Sequence, residues 1–476
     1  MSKYKSLLKN IGLLTLSSFA TKLLSFFLVP LYTSVLSTSE FGTYDMFNTT
    51  VSLLFPIITV DIQEAVLRFS LDSRSNEGKI LKTAAKYLLL SVIIILVLLV
   101  FNYIFNFINI FNKYVIEFFL LYLVTAINGL ITYYARGIDN VKELSISSVL
   151  GAIVSISLNI YFLVIIKIGL LGYFYATIIA GAAQSLYLII KLQILDKLIN
   201  TDTDKKLSEQ MVNYSKPMVA NAVSWWINNA SDRYIVIWLS GIAANGIYSV
   251  SYKIPSIINI LQQIFGQAWT ISAVKEFDQD DSSGFYINVY NLYNFMLVSS
   301  CSFLILADKI ISKFLFAKDF YLAWKYAPFL LISTVFAGMS AFIGGLFSAM
   351  KDSKTFAQTS VITAIINTIG NLALVALIGP LGAAISTAIA YFLMWALRLK
   401  AVKNSFNLRV NLKRDLTIYI LLIVQSVFLI FDIFSPIFTN IINILIFLFI
   451  IIVYKTVWKG LLLKLLNRWF FTSLKY

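Results

Sequence analysis

Residues 214–233 read YSKPMVANAVSWWINNASDR, a stretch with the length and flanks of one membrane-spanning helix. Lys216 and Pro217 predict the start of this helix, because proline in the first turn loses no needed hydrogen bond. The stretch places Asp232 and Arg233 inside the apolar span. A charge at the centre of a bilayer costs about 2.5–3.5 kcal/mol, so such residues normally face a partner or a water-filled cavity. The rest of the chain is expected to enclose this polar interior.

The composition indicates a polytopic membrane protein. Of the 476 residues, 59% are hydrophobic and 13% are charged, which is more apolar surface than a soluble core of this size needs. The predicted fold class is an all-α polytopic membrane protein with about 14 transmembrane helices. The predicted spans are 10–36, 41–67, 83–107, 115–135, 144–166, 169–190, 214–239, 243–270, 288–307, 326–349, 356–377, 379–399, 412–432 and 436–455.

Several classes of chemistry have no counterpart in this sequence. There is no histidine, and Cys301 is the single cysteine, so neither a disulfide framework nor a His/Cys metal cluster is expected. The sequence contains no phosphate-binding GxxxxGK[ST] loop and no serine-nucleophile motif. We therefore predict a protein that is not an enzyme and that uses no cofactor and no metal.

The net charge of +15 reflects membrane topology, and nucleic acid is not an expected partner. Most of the 38 Lys and Arg residues fall in one set of alternating loops, which also contains both termini. The opposite set carries Lys113, Lys167, Lys309, Lys313, Lys318 and Lys325. Because cytoplasmic loops carry the excess of basic residues, both termini are predicted to be cytoplasmic.

A charged cytoplasmic stretch at 191–213 divides the spans into six and eight, and it is predicted to link two lobes. The predicted N-terminal lobe is 1–190 and the C-terminal lobe is 214–400, followed by two additional spans at 401–455. The tail, 456–476, mixes basic with bulky apolar residues and is predicted to be an amphipathic helix on the inner leaflet.

An internal repeat supports two six-helix lobes that share one orientation. At an offset of 210 residues, the first copy matches the second at Gly169 and Gly379, Leu171 and Leu381, Gly172 and Gly382, Thr177 and Thr387, and Ala180 and Ala390. The preceding spans match at an offset of 212, and Gly42-x-Tyr44 recurs as Gly246-x-Tyr248. Such repeats would be related by an axis along the membrane normal, with the substrate handled between them.

Cations lie inside matching helices of the two predicted lobes. Lys22 is near the middle of span one, Arg233 in the outer part of span seven and Lys253 near the middle of span eight. Facing lobes would direct these cations at one cavity, which suits a phosphate or pyrophosphate ligand. Arg68, at the inner end of span two, is either a ligand for an entering head group or a local salt-bridge or topology anchor. Charge balance is the alternative role, with Asp45, Asp61, Glu64 and Asp232 as partners.

Further polar and aromatic residues lie in the same spans. Trp225 and Trp226 are candidates for stacking on sugar faces. Gln263 is a candidate for the polar lining of a water-filled pathway. Asp61 and Asp232 are the candidates for ion coupling, with a structural role as the alternative. Prolines inside spans are expected to bend the helices that carry the charges, namely Pro30, Pro56 and Pro255. Other prolines predict span starts, namely Pro217, Pro328, Pro380 and Pro436.

A series of motifs extends along the chain. EFGTYD occupies residues 40–45 and AVLRFS residues 65–70, followed by SWW at 224–226, SDRY at 231–234, and GIY and YKIP within 246–255. On these motifs, the chain resembles the Wzx-type flippases of polysaccharide repeat units, which form the polysaccharide transporter family of the MOP exporter superfamily. The likeness covers nearly the whole chain.

This resemblance implies a fold like that of the multidrug-and-toxin extrusion (MATE) proteins, with two lobes and alternating access. The implied activity moves an undecaprenyl-pyrophosphate-linked oligosaccharide of capsule, O-antigen or another exopolysaccharide across the bacterial plasma membrane, from the inner to the outer leaflet. Lys22, Arg233 and Lys253 are then expected to hold the charged head group, and Asp61 or Asp232 to couple an ion gradient. The implied partners are membrane lipids, polysaccharide polymerase and glycosyltransferases.

Three alternatives remain open on the sequence. An ion-coupled drug antiporter of the same fold would want net negative charge in its cavity, whereas cations predominate or balance here. A flippase of the peptidoglycan precursor would share the fold and the two extra helices. A membrane glycosyltransferase or polymerase would need long soluble loops that carry carboxylates, and the outer loops of this chain are short.

Overall fold

The computed structural model describes residues 26–72, 77–199, 201–275, 278, 280–350, 352–403 and 406–457. Every regular element in these ranges is a helix, which confirms the prediction of an all-α chain. Lys22 and nearly all of the predicted amphipathic tail lie outside the described residues.

The chain divides into two compact units. The first comprises Met1–Tyr234 and Ile242–Gly246, and the second comprises Ile235–Gly241 and Ile247–Tyr476. The helices of the first unit are α1 Val29–Val35, α2 Thr38–Ile58, α3 Ile62–Asp72, α4 Glu77–Phe105, α5 Asn109–Lys113, α6 Val115–Gly137, α7 Val141–Asn159 with a π-helical continuation Ile160–Ile165, α8 Gly169–Lys191 and α9 Ile194–Ile199.

Two helices, α10 Lys205–Ser240 and α11 Ile242–Ser251, contribute residues to both units. The remaining helices belong to the second unit, where a 3-10 segment Lys318–Lys325 connects two of them. These helices are α12 Pro255–Lys275, α13 Phe285–Leu315, α14 Ala327–Met350, α15 Ser353–Ile378, α16 Pro380–Lys403, α17 Leu412–Ile430 and α18 Pro436–Val453.

Nine of the described helices are long and apolar enough to cross a bilayer. They are α4, α6, α7 with its continuation, α8, α13, α14, α15, α16 and α18. A tenth span is present if α2 and α3 count together, although these two helices meet at an angle of 62°. The chain is therefore a polytopic membrane protein, as predicted, whereas the total of about 14 spans stays a prediction.

Most of the prolines lie at or beside helix boundaries. Three of them open helices as expected: Pro380 is the first residue of α16, Pro436 the first of α18 and Pro328 the second of α14. The prolines expected to bend spans all lie beside helix breaks, namely Pro30 in the first turn of α1, Pro56 in the last turn of α2 and Pro255 at the first residue of α12. Proline interrupts a helix because it lacks the backbone N–H and its ring clashes with the preceding turn.

The helix start predicted at Pro217 is wrong, because α10 begins at Lys205 and continues through the proline. The start is set by Asp204, whose Oδ1 accepts the backbone N–H of Leu207 at 3.1 Å, as an N-cap residue does. Pro217 leaves one backbone hydrogen bond unmade in a helix of 36 residues, and the bonds on both sides maintain the helix. α10 belongs to the first unit up to Tyr234. The lobe limits proposed from the sequence stay a prediction.

The internal repeat has a structural counterpart in the helix pairs α7–α8 and α15–α16. Gly169 and Gly379, which match in sequence, begin or precede the second helix of each pair with φ values of +56° and +63°. Left-handed backbone of this kind favours glycine. Gly172 and Gly382 also match, and each lies so close to the preceding helical segment that an added Cβ would overlap it. The same glycines therefore allow the same tight helical hairpin in both units.

The repeated Gly-x-Tyr motif brings α2 and the start of α11 into backbone contact. Gly42 packs against the carbonyl oxygen of Ile242, and Gly246 packs against the carbonyl oxygen of Thr38. In both contacts the carbonyl belongs to the residue four positions before the other glycine, so the two copies of the motif pack on each other in an equivalent way. A side chain at either glycine would separate the helices.

We predict that Gly42→Ala destabilises the protein by about 1–3 kcal/mol, because overpacking against rigid backbone cannot be relieved by a side-chain rotation. Thermal unfolding of the purified protein would measure the loss. Gly266→Ala is the matched control, since an added Cβ at Gly266 meets no atom within 4 Å. Equal thermal stability of the two variants would contradict the close approach.

Candidate functional site

Arg233 on α10 and Asp45 on α2 form an ion pair in the first unit. Arg233 Nη1 lies 3.4 Å from Asp45 Oδ1, and the same nitrogen donates a hydrogen bond to Thr49 Oγ1 at 3.2 Å. Asp45 and Thr49 are one helical turn apart, so both face the same neighbour. The side chains of Arg233 and Asp45 are 21% and 13% exposed, which leaves the pair largely removed from solvent.

Two aromatic side chains of α10 hold this face of the helix against α2. Trp226 Nε1 donates to the backbone carbonyl of Thr49 at 3.0 Å, and the Tyr234 hydroxyl is hydrogen-bonded to the Thr50 hydroxyl. Trp226 and Arg233 share a face of α10 because seven residues make about two turns. The rings of Trp226 and Tyr234 also meet, with their centroids 5.5 Å apart. Arg233 is therefore positioned by packed neighbours on both sides.

Asn245 brings a third helix, α11, to the same carboxylate. Its Nδ2 donates to Asp45 Oδ2 at 3.2 Å and lies 3.5 Å from the carbonyl oxygen of Gly42. Asn245 is fully buried. One oxygen of Asp45 thus faces the Arg233 guanidinium and the other faces the Asn245 amide. The site therefore combines a positioned cation with a carboxylate whose two oxygens both have donors.

The sequence identified Arg233 but not all of its neighbours. It named Asp45 as one of several charge partners, and the observed pair agrees with that alternative. Thr49 and Asn245 were missed. The available signals were the spacing of four residues from Asp45 to Thr49, and the position of Asn245 directly before Gly246 of the repeated motif.

Asp232 and Trp225 lie on other faces of α10, because successive residues of a helix are about 100° apart. Asp232 is 3% exposed, and its Oδ1 accepts the backbone N–H of Arg233 at 2.9 Å. Trp225 is 64% exposed, in contrast to the hydrogen-bonded Trp226. The two adjacent tryptophans therefore have different surroundings.

Asp61 lies at the break between α2 and α3. Val60 and Asp61 both have left-handed backbone, with φ values of +56° and +50°. The Asp61 N–H donates to the carbonyl of Pro56 at 2.7 Å, and its buried carboxylate accepts a hydrogen bond from the Gln63 amide. Two successive non-glycine residues in this region, one of them β-branched, make the break a strained segment. The structural hydrogen bond considered for Asp61 is present.

The other predicted ligands are distributed over three elements. Arg68 is exposed on α3, Lys253 is half-buried in the turn between α11 and α12, and Gln263 is exposed on α12. Their roles, and that of Lys22, stay predictions. Within the part of the chain that the structure describes, no group of three His, Cys, Asp or Glu side chains is arranged to hold a metal ion.

One known protein family matches more than half of the chain. A family described as "Polysaccharide biosynthesis protein" matches residues 7–273. This range includes α2, α10, α11 and therefore all residues of the site around Arg233. A search of curated proteins found no match.

Solved structures with the same fold are transporters and flippases. The lipid II flippase MurJ, in an inward closed conformation, has 16% identity and a TM-score of 0.65, with 93% of this chain and 98% of that chain covered. An inward-facing multidrug resistance MATE family transporter of the MOP superfamily has 15% identity and a TM-score of 0.60, with 81% and 96% covered. A MOP superfamily transporter from Pyrococcus furiosus has 13% identity and a TM-score of 0.55, with 83% and 96% covered. At these identities the similarity establishes a shared fold.

We predict that Asp45→Asn and Arg233→Gln are coupled by about 1 kcal/mol in a double-mutant cycle, because each change leaves the other charge without its partner. The cycle is measured by the unfolding of the purified variants. Lys309→Gln and Asp432→Asn form the matched control, since that pair is 35% and 61% exposed and should couple more weakly. Additive effects of Asp45→Asn and Arg233→Gln would contradict the pair.

Proposed function

Because this chain belongs to the family of polysaccharide biosynthesis proteins, we propose that it is a flippase for an undecaprenyl-pyrophosphate-linked oligosaccharide. It moves the repeat unit of a capsule, O-antigen or other exopolysaccharide from the inner to the outer leaflet of the bacterial plasma membrane. Transport proceeds by alternating access, and both termini are cytoplasmic. The protein itself performs no covalent chemistry.

The observation that carries this proposal is the Arg233–Asp45 pair on α10 and α2. A guanidinium offers a planar fork of donors that matches the oxygens of phosphate groups. The Nη1–Oδ1 separation of 3.4 Å is longer than the roughly 2.7–2.9 Å of a tight charge-assisted hydrogen bond. In this proposal a pyrophosphate oxygen replaces the Asp45 carboxylate as the partner of Arg233.

Asp45 has a second partner that makes this exchange feasible. Its other oxygen accepts a hydrogen bond from Asn245 at 3.2 Å, so the carboxylate keeps a donor after Arg233 turns to the substrate. A buried carboxylate without any donor would be strongly destabilised. In this proposal the ion pair holds Arg233 in position while the site is empty, and the pyrophosphate takes its place during transport.

Other predicted residues complete the proposed site. Lys22 and Lys253 supply further positive charge for the pyrophosphate, and Arg68 meets the head group on entry. Trp225, with its exposed indole, stacks on a sugar face more readily than Trp226, whose N–H is bound to Thr49. Trp226 stays the second candidate for sugar stacking, and Gln263 contributes to the polar lining around the substrate.

Ion coupling is assigned to Asp61 or Asp232 in this proposal. The strained break at Asp61 supports that residue, because a change in its charge state would act on the junction of two helices. The carboxylate of Asp232 instead accepts a bond from its own helix. Membrane lipids, the polysaccharide polymerase and glycosyltransferases are the proposed partners.

Two other cargoes are compatible with the same fold. A peptidoglycan precursor is favoured by the similarity to the MurJ fold and by the same pyrophosphate chemistry. A cationic drug is disfavoured, because Arg233 would repel it and Asp45 is already paired.

We predict that Arg233→Ala lowers leaflet transfer of a lipid-pyrophosphate oligosaccharide by about tenfold or more, since a hydrogen bond to a charged group contributes about 1.5–3 kcal/mol. The assay uses proteoliposomes of the full chain, and Arg233→Lys should retain part of the activity because it keeps the charge. Lys142→Ala, an exposed cation on α7, is the matched control.

The same assay separates the alternatives. Undiminished transfer by a folded Arg233→Ala variant would show that the ion pair of Arg233 has only a structural role. Transfer of the peptidoglycan precursor without transfer of any polysaccharide repeat unit would favour the precursor flippase. Transfer of neither lipid would contradict the proposed function.

A further inference from the structure

A second cationic site lies in the first unit, on α4 and on the part of α10 that precedes Pro217. A cavity of about 600 Å³ is formed between the N-terminal turns of α4 and α10. Its charged lining residues are Lys82, Lys86, Asp204, Lys205, Glu209 and Lys216. None of these residues was among the ligands predicted from the sequence.

Helical spacing explains why these side chains converge. Lys82 and Lys86 are four residues apart on α4 and therefore share a face. Lys205, Glu209 and Lys216 follow at intervals of four and seven residues on α10, which also keeps them on one face. The two faces meet at the cavity, so the charged groups of two helices point into one space.

The acidic residues do not cancel this positive charge. Asp204 Oδ2 pairs with Lys79 at 3.2 Å, and its Oδ1 accepts the N–H of Leu207 at 3.1 Å. The backbone N–H of Leu207 contributes most, and Lys79 next, to lowering the pKa of the Asp204 carboxyl. The carboxylate therefore stays ionised, and both groups already bind it. Glu209 is then the single carboxylate opposite the lining lysines among the residues of the cavity.

The wall of the cavity is fixed by polar contacts. Lys82 Nζ donates to the carbonyl oxygen of Thr201 at 2.5 Å. Close by, Lys197 Nζ pairs with Glu77 at 2.7 Å, and the Tyr134 hydroxyl donates to the same carboxylate at 2.8 Å. These bonds attach α9 and the segment that follows it to the start of α4. The cavity is therefore part of the folded unit.

The depth of the cavity matches the surface of a membrane. Directly after Lys86 and Tyr87, which line the cavity, the exposed apolar surface of α4 begins with Leu89 and Leu90, which are 63% and 43% exposed. Tyrosine at such a boundary is typical of the interface between hydrocarbon and water. Anionic head groups lie at this level, and nearby Lys and Arg side chains attract them.

We propose that this cavity binds the phosphate group of an anionic lipid at the membrane surface. Lysine ammonium groups act as point charges that can donate hydrogen bonds to phosphate oxygens from several directions. The volume suits a glycerophosphate or diphosphate group, since small-ligand pockets are about 300–1,000 Å³. A bound lipid links α4 to α10, the helix that carries Arg233, and stabilises the folded state through binding linkage. This inference does not depend on the cargo that the protein transports.

The test counts bound lipids on the purified full chain by native mass spectrometry, with phosphatidylglycerol against phosphatidylcholine. Lys86→Gln with Lys216→Gln should weaken phosphatidylglycerol binding by about tenfold or more, because two attractive charges are lost. Lys86→Arg with Lys216→Arg should retain binding. The matched control, Lys142→Gln with Lys191→Gln, removes two exposed lysines of α7 and α8 outside the cavity and should bind as the wild type does.

A competition arm identifies the source of the phosphate. Displacement of phosphatidylglycerol by inorganic pyrophosphate would show that soluble phosphates use the cavity as well, and no displacement would assign it to lipids alone. Either result supports a phosphate site. Equal binding of phosphatidylcholine, or equal losses in the glutamine variant and the control, would overturn the proposal. If the glutamine variant does not fold, phosphatidylglycerol binding to the wild type is measured at increasing salt concentration. Binding that is independent of ionic strength would overturn the proposal, because an electrostatic site is screened by salt.

Discussion

An ionised side chain that is largely removed from water needs a compensating partner, and the packing around Arg233 follows from that constraint. The guanidinium lies against Asp45 and Thr49, so α10 must pack on the face of α2 that carries them. Trp226 and Tyr234 fix the same contact from either side. The ion pair, its hydroxyl neighbour and the two aromatic rings form one unit, in which a change to any member alters the surroundings of the charge.

The glycines of the repeat make this arrangement sterically feasible. Gly42 and Gly246 allow the backbones of α2 and α11 to approach directly, and this approach brings Asn245 within hydrogen-bonding distance of Asp45. Larger residues would move the amide away and leave one carboxylate oxygen without its donor. Gly172 and Gly382 have the corresponding role in the hairpins α7–α8 and α15–α16. The two copies of the repeated sequence therefore make the same kind of close helix packing.

Much of the fold could be predicted from the sequence because its signals are local. Apolar length predicted the helices, and prolines such as Pro380 and Pro436 predicted where helices begin. The helix start predicted from Pro217 was wrong because the capping carboxylate of Asp204, further upstream, determines where α10 begins. The partner of Arg233 could not be chosen from the sequence, since several carboxylates lie in nearby spans and only the packing of α10 on α2 selects Asp45. The lysine cavity was missed for the same reason, because its two faces are distant in sequence.

The central claim is that the face of α10 around Arg233 lines the path of a lipid-linked substrate. The most direct measurement uses a Cys301→Ala background, which removes the single native cysteine, with Asn229→Cys one turn before Arg233. The reaction rate with a membrane-impermeant maleimide is measured with and without lipid-pyrophosphate oligosaccharide, and Leu98→Cys on the apolar surface of α4 serves as the control. We expect Asn229→Cys to react, substrate to slow that reaction, and Leu98→Cys to remain unreactive. Labelling of Asn229→Cys that is absent, or unaffected by substrate under transport conditions, would contradict the claim.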